Sequence, residues 1–172
     1  MLRRLKAIDK NQMGFTLIEV LVALAITGLI TGAITMSVSQ VVTNNARSNA
    51  HMMSVKQVES AIHWISRDVQ MAQVVEPGGG SGFPLNLTWV EWDNTANQVT
   101  YTLENGVLKR NHSVNGGAPT AIAVARHIDT DSGETNCQFA GGVLTLKITA
   151  AVDGFRPASE TRVCDIVSRP AA

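Results

Sequence analysis

Residues 15–42 read FTLIEVLVALAITGLITGAITMSVSQVV, and Glu19 is the sole charged side chain among them. The next charge along the chain is Arg47. About 20 mostly apolar residues suffice to cross a bilayer as a helix, so this run predicts a membrane-spanning helix that starts at Phe15. Ahead of it stands MLRRLKAIDKNQMG, residues 1–14, where Arg3, Arg4, Lys6 and Lys10 outnumber Asp9. Basic flanks stay on the cytoplasmic side of a span, so the charge order predicts a cytoplasmic leader and an exported remainder. A secretory signal core is shorter, about 7–15 residues, and ends at a small-residue site; the stretch from Ser37 to Asn45 has none. An ordinary single-pass anchor explains the run, but it leaves Glu19 unexplained. A carboxylate inside a bilayer is expensive enough to be read as functional.

The order of residues around that carboxylate is specific. Gly14-Phe15-Thr16-Leu17-Ile18-Glu19-Val20, behind a basic leader and ahead of a long uncharged run, resembles the processing motif of type IV prepilins and type II secretion pseudopilins. The resemblance implies cleavage after Gly14 by prepilin peptidase and methylation of the new amine on Phe15. It also implies that Glu19, at mature position five, pairs with the amine of a neighbouring subunit in a filament. The chemistry suits the residue types. Gly14 offers a peptidase a backbone with no obstructing side chain, and Glu19 lies about one helical turn from Phe15. The partners implied are other pilins or pseudopilins, prepilin peptidase, the inner-membrane assembly machinery and the lipid bilayer. The location implied is the inner membrane, with the head periplasmic or extracellular. The competing reading is a single-pass anchored binding or sensor domain with no filament role.

The chain divides accordingly: a leader at 1–14, a membrane and filament-core helix at 15–42, an amphipathic helical half at 43–76 and a β-rich head at 77–172. Gly28 and Gly32 form a G-x-x-x-G that can bring two membrane helices close. Many major pilins carry a proline at the position of Met36; this chain does not. No proline interrupts residues 15–75. Beyond Arg47, Val55, Val58, Ile62, Ile65, Val69 and Ala72 recur every three or four residues and predict one apolar stripe that packs on the protein's own sheet. Arg47, Lys56, Glu59, Arg67 and Asp68 are expected mostly off it.

After the glycine-rich loop from Pro77 to Pro84, short β-rich runs predict strands at 87–92, 98–103, 107–111, 121–128, 143–150 and 162–167. Asn105-Gly106 marks a tight hairpin. The fold class is α+β, a long N-terminal helix on a C-terminal antiparallel sheet. Two further stretches, Trp64-Ile65-Ser66-Arg67-Asp68-Val69 and the hairpin from Val99 to Arg110, resemble the larger J-type minor pseudopilins and W-type minor pilins. Glu19 argues against the tip-most K type, which usually lacks that glutamate.

Other chemistry is sparse. The net charge is zero, which gives no basis for nucleic-acid binding. The histidines are scattered, and no nucleophile elbow, phosphate loop or dinucleotide fingerprint occurs, so no enzymatic function is expected. Cys137 and Cys164 predict a disulfide in an exported chain, two buried free thiols being the alternative. Asp129, Asp131 and Glu134 resemble the start of a calcium loop, but position twelve is Ala140 rather than glutamate, and a solvated turn is the preferred reading. No other cofactor is expected.

Overall fold

The computed structural model describes residues 15–80, 82–154 and 156–169. One helix, α1, runs Leu17–Met71. The chain separates into two compact units, one up to Val42 and one from Thr43.

In the first unit α1 is long and apolar enough to cross a membrane. Its hydroxyl side chains are compatible with such a place. Thr27, Thr31, Thr35 and Ser37 each donate to the carbonyl four residues back, at 2.7–3.0 Å. Each hydroxyl is thereby satisfied within its own helix, as a lipid environment demands.

In the second unit the rest of α1 packs on eight strands. β1 (Val74–Pro77), β2 (Leu85–Val90), β3 (Ala96–Glu104), β4 (Val107–Val114) and β5 (Thr120–Ala125) form one antiparallel sheet in chain order. β6 (Asn136–Ala140), β7 (Val143–Val152) and β8 (Ala158–Val167) form a second. The single expected sheet is therefore two. The helix stripe joins them in one core: Val58, Ala61, Ile65, Val69 and Ala72 pack with Leu87, Val99, Tyr101 and Leu108 of the first sheet and Leu144, Leu146 and Ile148 of the second. Polar ties fix the same contact. Ser60 Oγ donates to the Val124 carbonyl at 2.8 Å, and Gln57 Oε1 accepts from the Arg126 N–H at 2.7 Å.

The helix ends earlier than its lack of proline suggests. Val74 and Val75 pair with Thr88 and Leu87 instead, because two β-branched residues fit an alternating strand better than a last helical turn. Asn105 and Gly106 both have positive φ, 51° and 73°, the geometry of the expected two-residue hairpin. A second such turn, at Gly141 (φ 59°) and Gly142 (φ 79°), joins β6 to β7.

Candidate functional site

The N-terminal end of α1 closes on itself. Thr16 Oγ1 accepts from the Glu19 N–H at 3.3 Å, while Glu19 Oε2 accepts from the Thr16 N–H and hydroxyl, both at 3.0 Å. This is a reciprocal capping box, Thr-x-x-Glu at the first turn of a helix. It holds the Glu19 carboxylate over the N–H of the residue that follows Phe15. Gly14 and the leader lie outside the described residues, so the cleavage position has no structural account. Phe15, Leu17, Leu29 and Met36 are more than two-thirds exposed. Nothing lies within 4 Å of a Cβ placed on Gly28 or Gly32. Among the described residues nothing covers this surface, which is consistent with membrane anchoring near the N-terminus.

The carboxylates of the 129–134 loop act as turn caps. Asp129 Oδ1 accepts from the Asp131 N–H at 3.0 Å, and Asp131 Oδ1 from the Gly133 N–H at 2.7 Å. The Lys147 ammonium sits 2.7 Å from the Gly133 carbonyl and 3.6 Å from Glu134 Oε2. Among the described residues no group of three or more His, Cys, Asp or Glu side chains is assembled to hold a metal.

The expected disulfide is corrected. Cys137 and Cys164 are both free. Each stands directly opposite Leu146, Cys137 from β6 and Cys164 from β8. The whole of β7 lies between them, which sets the Cα atoms roughly 10 Å apart at the usual strand spacing. A disulfide needs them within about 7 Å. Burial pushes the Cys137 thiol up to about 11, and its Sγ donates to the Gly82 carbonyl at 3.0 Å. Burial, then the charge of Asp165, raises the Cys164 thiol as well.

One polar cluster was not foreseen. Asp68, expected off the stripe, is 1% exposed. Its Oδ2 accepts from the Tyr101 hydroxyl at 2.5 Å and from Arg110 Nε at 2.6 Å; its Oδ1 accepts from Arg110 Nη2 at 3.1 Å. The Arg110 guanidinium also lies over the Trp64 ring, 5.4 Å from its centroid. Burial opposes the arginine's charge, but the hydrogen bond and charge of Asp68 outweigh it and hold the pKa above its usual value. Burial, then Asp68, raises the Tyr101 phenol far beyond the normal range. Thus Trp64 and Asp68 from one resembling motif meet Tyr101 and Arg110 from the other. The spacing of Asp68, three residues after Ile65 and four before Ala72, was a legible sign that it shares the buried face.

Residues 9–35 match the family described as the prokaryotic N-terminal methylation motif. The match supports a type IV pilin-like N-terminus and covers the last six residues of the leader, with Gly14, and then Phe15 and Glu19. No curated protein and no solved structure matches the chain.

Proposed function

We propose that this chain is a minor pilin or pseudopilin, a structural subunit of a type IV pilus-like or type II secretion filament. The observation that carries the reading is the methylation-motif match over residues 9–35. In this reading prepilin peptidase cuts after Gly14 and the Phe15 amine is methylated. The apolar helix holds the chain in the inner membrane until neighbouring helices replace lipid around it. Glu19 pairs across subunits with that amine, and Gly28 with Gly32 provides a close-packing face. In this reading the head serves contact between subunits. The J-type or W-type subtype is supported by the cluster that unites Trp64, Asp68, Tyr101 and Arg110.

Intact-mass spectrometry of the protein from its native membrane tests this reading. A mass equal to residues 15–172 plus one methyl is expected. The full-chain mass would instead favour an anchored binding domain.

A further inference from the structure

Asn44, Arg47, Ser48 and His51 stand at positions i, i+3, i+4 and i+7, so they share one face of α1. Facing them are Pro157, Ala158 and Ser159, and the cleft between has a volume of about 640 Å³. Each of its polar side chains can donate a hydrogen bond, and none of its described lining residues is a carboxylate. Asp153 lines a neighbouring hollow that shares Pro157, Ala158 and Ser159 with this cleft. Lys109, Arg110, Lys147 and Arg162 each have a carboxylate within 4 Å. Arg47 has no ion-pair partner among the described residues. A guanidinium flanked by amide, hydroxyl and imidazole donors, and left without an acid, fits an anion with several oxygens.

The place of these residues in the chain selects the anion. Arg47 is the first charge after the apolar run. About 20 residues from Leu17 cross the hydrocarbon, and about five more cross the outer headgroup layer. The count reaches the low forties, and Asn44 comes next. We propose that this cleft binds the phosphate of an anionic phospholipid headgroup in the outer leaflet, docking the head on the bilayer before assembly. The proposal rests on the membrane-spanning reading of α1. It needs no filament role.

The test uses the full chain in phosphatidylcholine nanodiscs doped with phosphatidylglycerol that carries a photoreactive headgroup. Crosslinks are expected on residues 44–51 and 157–159. Arg47→Ala should lower their yield at least about fivefold, the usual effect of one basic residue at an anionic surface. Arg126→Ala, an exposed arginine outside the cleft, should leave the yield unchanged. Equal losses in both variants would reduce the effect to diffuse charge and overturn the proposal. Competition by millimolar inorganic phosphate, or by a soluble acidic peptide, would overturn the lipid as occupant in favour of a free anion or a protein carboxylate. A chain that inserts but shows no preference for the anionic lipid defeats the cleft alone. A chain that does not enter the nanodisc defeats the membrane reading and the proposal together.

Discussion

Arg110 Nε lies 2.6 Å from Asp68 Oδ2, and the cross-strand neighbour of Arg110, Tyr101, donates its phenol hydrogen to the same oxygen. One helical carboxylate thereby receives two adjacent strands. A buried ion pair is a poor source of net stability, because desolvation offsets much of its attraction. It is a strong source of specificity, because any other seating of the sheet on α1 leaves a buried charge unpaired. Together with the Ser60 and Gln57 ties to the backbone of Val124 and Arg126, this cluster sets the register between helix and sheet.

Removing one partner should therefore be severe. Asp68→Ala or Arg110→Ala is expected to destabilise the head by about 3–5 kcal/mol, and the double variant by less than the sum. Tyr101→Phe, which keeps the ring and loses one hydrogen bond, should cost about 1–2 kcal/mol. Denaturant unfolding of the full chain in detergent measures all four. An Asp68→Ala midpoint equal to wild type would show that the cluster is incidental.

The phenol gives an alkaline limit. Folding raises the Tyr101 pKa, so the folded state keeps a proton that the unfolded state loses near pH 10. This contribution is complete below pH 10 and disappears as pH rises above it. The chain contains one tyrosine, so tyrosinate absorbance near 295 nm reports this residue alone. It should stay absent above pH 10 and rise only with unfolding. A smooth titration centred at pH 10, with the fold intact, would contradict the buried geometry.

The cysteines should behave as two separate thiols. Cys164, half-buried on the edge strand β8, is expected to react with a maleimide in the native protein. Cys137, buried and raised to about 11, should react only on unfolding. The native mass should show no loss of two hydrogens. A Cys137–Cys164 crosslinked peptide in material from the envelope would require β7 to be displaced.

What the sequence disclosed and what it hid follow from the range of the forces involved. The apolar run, the Asn105-Gly106 hairpin and the alternation of Leu144, Leu146 and Ile148 are local patterns, and each element formed where its pattern lies. β1 was hidden because Val74 and Val75 continue the helix stripe until a distant partner, β2, competes for them. β6 was hidden because only Cys137 and Phe139 punctuate it, although Gly141-Gly142 announced its turn. Asp68 was misread because a charged residue is assigned to solvent by default, and its partners lie 33 and 42 residues away. The disulfide failed for a similar reason: export makes pairing plausible, but only strand order shows that Leu146 stands between the thiols.

The capping box makes Glu19 ambiguous, and Thr16 resolves it. If Glu19 acts only by closing the first turn of α1, Thr16→Ala removes the same reciprocal bonds and should match Glu19→Ala in effect. If Glu19 pairs across subunits, the two variants separate. If the chain is processed as proposed, both variants should reach mature size, whereas replacement of Gly14 by a bulky residue should leave the precursor uncut. In the filament fraction, Glu19→Ala should then be absent while Thr16→Ala is reduced but present. Immunoblots of whole cells and sheared filaments distinguish the cases. Equal filament levels for the two variants would assign Glu19 to its own helix and remove the intersubunit role.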